Sequence, residues 1–223
     1  MSDINGKIIK PEGVHIAALV PAFNEERNIR RTIRFLLTIE EIDEIIVVND
    51  GSEDRTAQVA REECGVTLVD LERNLGKGGA LRAGVESTNA EIILMLDADL
   101  LGMTRSHVAA LLAPVLDGRA KTTMGVFRDG RMATDIAQLV APGLSGQRAI
   151  LRELLAGAPI DDARYGIEVA LNRHLEELGV PIFEVDLVNV SQVVKEEKLG
   201  LVRGLAARMN MYYEVIKMLV VGK

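Results

Sequence analysis

Two aspartates one residue apart, Asp97 and Asp99, follow an uninterrupted apolar run, Ile92-Ile93-Leu94-Met95-Leu96. In extended backbone, residues two apart face the same way, so the pair would present carboxylates on one side of a sheet edge. Hard oxygen ligands suit Mg²⁺ or Mn²⁺, and such ions commonly bridge to a diphosphate. A cation held there would neutralise charge on a departing nucleoside diphosphate. The bland alternative is two solvated loop carboxylates. Their place directly behind an apolar strand favours the metal.

Two more polar clusters follow apolar runs. Behind His15 to Val20 stands Pro21-Ala22-Phe23-Asn24-Glu25-Glu26. The proline would end the strand, and Asn24 and Glu25 offer donors and acceptors suited to a base or ribose. They equally suit a helix start, with Asn24 as cap and the glutamates at the positive helix end. Behind Asp43 to Val48 stands Asn49-Asp50-Gly51-Ser52. Asp-Gly is a turn signal, and Asp50 could accept a hydrogen bond from the imide N–H of uracil or a comparable group.

The elements that must position these clusters alternate. Strands are expected at 15–20, 43–48, 66–70 and 91–96, and helices at 25–40, 55–64 and 78–87. The first helix has its apolar face at Ile29, Ile33, Leu36 and Leu37. Asp54 or Ser52 could cap the second. Continuous apolar strands joined by helices imply a mostly parallel sheet covered on both faces. In such sheets ligands bind beyond the carboxyl ends of the strands, where all three clusters fall. The second half is less regular: a helix at 106–116, a strand at 122–128, a turn and helix within 143–155, a helix at 167–178, a strand at 182–190 and a long amphipathic helix at 199–221. No internal repeat or linker divides the chain, so one domain is expected over 1–223, with a nucleotide half (1–100), an acceptor half (101–198) and a C-terminal helix (199–223).

Composition narrows the class. The chain has 223 residues, 48% of them apolar, enough for a core. Aromatics make up only 3%, so sugar recognition must rest on polar contacts rather than ring stacking. A net charge of −7 argues against nucleic acid as partner, since phosphate neutralisation needs clustered Lys and Arg. Cys64 is the only cysteine, which suits a reducing compartment and a structural role. His15, His107 and His174 read as structural. Residues 1–11 do not read as a signal peptide, and no apolar run reaches the ~18 to 20 residues of a membrane span. A cytoplasmic protein, peripheral at most to a membrane, is expected.

The three clusters, with Asn74-Leu75-Gly76-Lys77-Gly78-Gly79-Ala80-Leu81 between the second and third, resemble family 2 glycosyltransferases with a GT-A fold. The resemblance is strong over residues 15–100. It implies a nucleotide-binding set of Pro21, Ala22, Asn24, Glu25, Asp50, Lys77 and Asp97. Within it, Ala22, Asn24 and Glu25 would line the base and ribose, Asp50 would meet the base, and Lys77 would lie near the nucleotide. Asp97 would approach the ribose or the metal, and Asp99 would bind the metal. The Gly76–Gly79 segment lacks Walker spacing.

The second half resembles glucosyl-3-phosphoglycerate synthases and their bacterial relatives. Phe127 to Thr134 looks like their acceptor loop, in which Arg131 would hold an anionic acceptor through its planar fork, with Thr134 beside it. Leu144 to Ala149, including Gly146 and Gln147, resembles the turn that supports the acceptor side of the donor sugar. Glu168, in Tyr165-Gly166-Ile167-Glu168, would be a general base or would orient sugar hydroxyls, and Asp161 and Asp162 compete for that role. Relatives often carry a metal-binding histidine shortly before a segment like Lys195-Glu196-Glu197-Lys198, and here Gln192 stands in its place. Lys195 or Lys198 could help Lys77 stabilise the departing diphosphate.

The expected activity is metal-assisted transfer of a sugar, most simply a hexose, from a nucleoside diphosphate to a hydroxyl or phosphate acceptor. UDP is favoured as carrier by family frequency. Polyprenyl phosphate and small phosphorylated acids are the acceptor classes, with a tilt toward a soluble one. The C-terminal helix suggests core packing or a homodimer contact. A non-catalytic nucleotide-sugar binder, with Gln192 as trace of a lost ligand, is the first alternative. A sugar-phosphate nucleotidyltransferase is disfavoured, because Pro21-Ala22-Phe23-Asn24 stands where those enzymes carry a glycine-rich loop with arginine.

Overall fold

A computed structural model of the chain describes residues 8–128, 145–160 and 166–193. The expected C-terminal helix, Arg131, Thr134, Asp161, Asp162, Tyr165, Lys195 and Lys198 lie outside the described residues.

The central sheet has five strands in the order β3-β2-β1-β4-β7. These are β1 (Ile16–Ala22), β2 (Glu44–Asp50), β3 (Thr67–Leu71), β4 (Ile92–Met95) and β7 (Arg148–Leu151). The first four run parallel, and β7 joins β4 antiparallel, with Met95 opposite Arg148. The crossovers are α1 (Ile29–Leu36), α2 (Thr56–Arg61) and α3 (Gly76–Glu86). Beyond β4 come β5 (Leu100–Leu101), α4 (Arg105–Leu116), β6 (Thr123–Arg128), α5 (Arg152–Gly157), α6 (Ile167–Glu177), β8 (Phe183–Val188) and β9 (Ser191–Gln192). The pair β6 and β8 is parallel, and β5 with β9 is antiparallel.

Strands β1, β2 and β4 are buried on both faces, as their apolar runs require, while the edge strand β3 is partly exposed. Along β1, Ile16, Ala18 and Val20 join one core with Ile29, Ile33 and Leu36 of α1 and with α4. Ala17 and Leu19 point the other way, into a core with Leu81 and Val85 of α3, Leu155 of α5, and Ile167 and Leu171 of α6. Both β1 faces are thus dry, which is why its sequence shows no polar alternation.

Several expectations are corrected. Pro21 does not end β1; the strand continues to Ala22. Pairing with β4 stops at Leu19, so the side without a ladder tolerates a residue lacking an N–H. Helix α1 starts at Ile29, not Glu25, because residues 25–28 form a turn in which Asn28 and Ile29 donate to the Glu25 carbonyl. Leu37, expected on the buried face, is 44% exposed past the helix end. Residues 148–151, expected within a turn and helix, are strand β7. Arg55 takes the cap position of α2 without a side-chain bond of its own, and Asp54, one of the two expected caps, accepts the N–H of Thr56, the first helical residue, at 2.9 Å. Cys64, expected to be structural filler, is exposed. His107 is structural as expected: it completes a capping box with Thr104 at the start of α4.

Candidate nucleotide-sugar site

The first two strand-end loops are stitched into one surface. Asn24 sits at φ 56°. Its N–H donates to Ser52 Oγ at 2.9 Å, and its Oδ1 accepts from the Glu53 N–H at 2.9 Å. The Glu25 N–H donates to Thr56 Oγ1 at 2.7 Å, and the Glu26 N–H to Asp54 Oδ2 at 3.1 Å. The left-handed backbone, which asparagine tolerates better than most residues, aims its side chain across to the second loop. Asn24 therefore does not cap α1; it ties two strand ends together. Glu25 folds onto its own turn, accepting from Asn28 Nδ2 at 2.8 Å. Ala22 is buried, so what it can offer a ligand is a close approach to backbone.

Asp50 ends β2 and is buried to 3% exposure. Gly51 follows at φ +64°, and a side chain there would lie 2.5 Å from the Arg73 carbonyl carbon. Only glycine allows the 73–75 segment that close. The approach lets Leu75 donate its N–H to Asp50 Oδ1 at 2.7 Å, and Asn74 its Nδ2 to the Asp50 carbonyl at 3.2 Å. Burial raises the Asp50 pKa, and the Leu75 and Gly76 amides oppose that. The residue expected to read a base thus also anchors the entry to α3.

The third strand end gathers charge. Asp97 and Asp99 lie beyond β4, in a turn rather than in extended backbone, so period-two geometry does not govern them. Thr32 Oγ1 of α1 holds the turn through the Ala98 carbonyl at 2.8 Å. Asp97 Oδ1 meets Lys77 Nζ at 2.8 Å, and the same ammonium reaches Glu168 Oε1 at 2.8 Å. Asp97 Oδ2 accepts from Gln147 Nε2 at 2.7 Å and from Gln192 Nε2 at 2.6 Å. Gln147 also takes the Asp97 N–H on its Oε1 at 3.0 Å. Lys77 of α3, Gln147 just ahead of β7 and Gln192 of β9 therefore converge on one carboxylate, and Glu168 of α6 shares Lys77 with it. Burial works against the Lys77 ammonium, but Asp97 and Glu168 outweigh it and raise its pKa. The cluster is open to ligand, with side chains of Lys77, Asp97 and Glu168 at 25%, 18% and 21% exposure.

Two expected sugar contacts are recast. Gly146 is buried and Gln147 is fully buried, with both amide atoms on Asp97. Neither presents surface to a sugar, and Gln147 acts through Asp97. Sequence reading also missed Arg148, fully buried with Nε on the Ser145 carbonyl at 3.0 Å and Nη2 on Asn172 Oδ1 at 2.5 Å. Its Nη1 has no hydrogen-bond partner. Burial pushes the guanidinium down to about 10, opposed by the field of Glu168, one turn before Asn172 on α6. An arginine opening a buried strand was the available signal. Thr56 and Asp54 were missed as stitches, since their partners lie about thirty residues away.

The third strand end can be tested against a divalent ion. Among the described residues no three His, Cys, Asp or Glu side chains gather to hold one. Asp97 has its oxygens committed to N–H donors. Strand β9 runs beside the turn, Val193 N–H donating to the Asp99 carbonyl at 3.2 Å and Gln192 pairing with Leu100. Gln192 gives its NH₂ to Asp97, which leaves its carbonyl oxygen as the end able to face a cation. One carboxylate from Asp99 and one amide oxygen from Gln192, completed by phosphate oxygens and water, fit the hard, partly hydrated coordination of Mg²⁺ or Mn²⁺.

Known proteins resemble the chain in sequence and in fold. The chain is 36% identical over 129 residues to a dolichyl-phosphate beta-glucosyltransferase of Trichomonas vaginalis, covering 52% of this chain and 39% of that protein. It is 40% identical over 99 residues to the dolichyl-phosphate beta-glucosyltransferase of Mus musculus, covering 38% and 31%. The chain thus spans well under half of these relatives. The fold matches glucosyl-3-phosphoglycerate synthase from Mycobacterium tuberculosis solved with Mn²⁺, UDP and glucosyl-3-phosphoglycerate, at TM-score 0.73 and 27% identity over 94% of this chain and 80% of that one. The same synthase with Mn²⁺ and UDP-glucose gives TM-score 0.73 at 26% identity, over 92% and 78%. The profile described as Glycosyl transferase family 2 matches residues 17–157. That span is more than half of the chain and holds the stitched loops, the Asp97–Asp99 turn and Lys77, so the protein belongs to glycosyl transferase family 2.

Proposed function

We propose that the protein transfers a hexose from a nucleoside diphosphate donor, UDP favoured, to a hydroxyl or phosphate oxygen of a phosphorylated acceptor, with Mg²⁺ or Mn²⁺. The observation that carries this reading is the Lys77 ammonium, 2.8 Å from both Asp97 and Glu168 at the carboxyl edge of a parallel sheet. It puts a cation where a diphosphate would leave, beside two acids that can order sugar and acceptor oxygens.

In the reaction the acceptor oxygen bonds to the anomeric carbon. The bond from that carbon to the diphosphate oxygen breaks, and the diphosphate takes the electron pair. A divalent ion held by Asp99 and Gln192 would act as Lewis acid on that leaving group. Lys77 adds a fixed positive charge, and the cluster is already assembled, so little reorganisation is needed as charge develops. Glu168, ion-paired with Lys77, accepts hydrogen bonds; in this reading it orients sugar hydroxyls or receives the acceptor proton. Arg131 and Thr134 remain the proposed acceptor contacts.

The acceptor chemistry common to both sets of relatives is a phosphorylated molecule. A lipid phosphate would place the working protein at a membrane surface, and a phosphorylated acid would place it in the cytoplasm. Among the described residues no helix is long and apolar enough to cross a membrane.

One observation favours the second reading, a binder without turnover: an amide, Gln192, stands among the metal donors. Thermal unfolding with UDP-glucose, with and without Mn²⁺, tests the donor reading. Donor plus metal at about a hundred times Kd should stabilise the fold by about 2.7 kcal/mol, and Asp99→Ala should lose the metal-dependent part. An equal shift in the variant would remove Asp99 from the ligand set. Release of UDP from UDP-glucose with Mn²⁺ separates the enzyme from the binder.

A further inference from the structure

Gly146 was expected near the sugar, yet it is buried. A Cβ built on it would lie 2.4 Å from Lys77 Nζ and 3.3 Å from each Asp97 carboxylate oxygen. No backbone atom is among its three nearest neighbours. Its φ is not positive, so glycine is not needed for conformation. The missing side chain matters because of what fills its space.

We propose that Gly146 is a positioning residue: its bare Cα forms the slot in which the Lys77 ammonium stands between Asp97 and Glu168. The slot has firm walls. On one side Asp97 is locked by Gln147, which bonds both its peptide N–H and its carboxylate. On the other, Glu168 is in the first turn of α6. Behind, the Gly125 N–H of β6 donates to the Gln147 carbonyl at 2.8 Å, which fixes the strand entry that carries Gly146. Any side chain at 146 displaces the ammonium, because a lysine end moves far more easily than these walls. The effect on donor binding rests on the proposed function; the slot itself rests on the geometry alone.

A double-mutant cycle tests it, using Gly146→Ala, Lys77→Ala and the pair, each measured by thermal unfolding of the free protein and by calorimetric titration of UDP with Mn²⁺. With Lys77 present, Gly146→Ala should lower Tm by a few degrees, about one lost charge-assisted bond in a chain of this size. It should also weaken UDP about tenfold. In the Lys77→Ala background the added methyl has nothing to displace, so it should change Tm by less than about one degree and UDP affinity by less than about twofold, a strong non-additivity. Should Gly146→Ala alone fail to fold while the pair folds, the slot is supported. Equal losses in both backgrounds, no loss in either, or failure of both to fold would overturn it. If the unsubstituted protein binds no UDP with Mn²⁺, the donor reading fails, and the thermal cycle still decides the slot.

Discussion

The halves of the molecule before and after residue 101 build one site in different ways. Before it, strand ends supply short polar clusters whose partners are the next loop along: Asn24 with Ser52 and Glu53, Glu25 with Thr56, Asp50 with Leu75. After it, single residues reach back to one carboxylate. Gln147 and Gln192 bond Asp97, and Glu168 shares Lys77 with it. The first half makes a surface, and the second tensions one point of it. Lys77 is where they meet, since its ion pairs join α3 to the β4 turn and to α6.

The largest effect should come from cutting that junction. Lys77→Met should lower transfer about a hundredfold or more, the scale of losing one preorganised charge-stabilising donor, measured as UDP release with Mn²⁺ at saturating donor. Near-normal turnover would mean that the halves cooperate without it. A smaller effect should follow within the first half. Thr56 is fully buried and accepts the Glu25 N–H, so Thr56→Val leaves a shielded amide without its partner. Urea unfolding should show a loss of about 1–3 kcal/mol, with the midpoint falling and the slope unchanged. A loss of a few tenths would show that water reaches the loops and that they are not one unit.

The contrast also explains what the sequence revealed. Strands β1, β2 and β4 were legible because dry strands read as unbroken apolar runs, and ligand chemistry follows their carboxyl ends. Asp50, Asp97 and Asp99 could be singled out that way, whereas Lys77 entered through the family resemblance of residues 74–81. Strand β7 was not legible: it has four residues, opens with arginine, and exists because Met95 and its neighbours offer an edge. The contacts of Asn24, Gly146 and Gln147 were hidden for the same reason. They are defined by atoms about thirty, seventy and fifty residues away in sequence, which neither periodicity nor turn chemistry encodes. The period-two argument for Asp97 and Asp99 does not describe their geometry, since the turn at Ala98, pinned by Thr32, replaces extended backbone.

In the proposed reaction Asp99 and Gln192 hold a divalent ion that shares a donor diphosphate with Lys77. Crystals grown with UDP and Mn²⁺, measured at the manganese absorption edge, test this most directly. One anomalous peak is expected about 2.0–2.3 Å from an Asp99 carboxylate oxygen and from Gln192 Oε1, with Lys77 Nζ within hydrogen-bond reach of a phosphate oxygen. A peak on other residues, or UDP bound with its phosphates away from the Asp97–Asp99 turn, would contradict it.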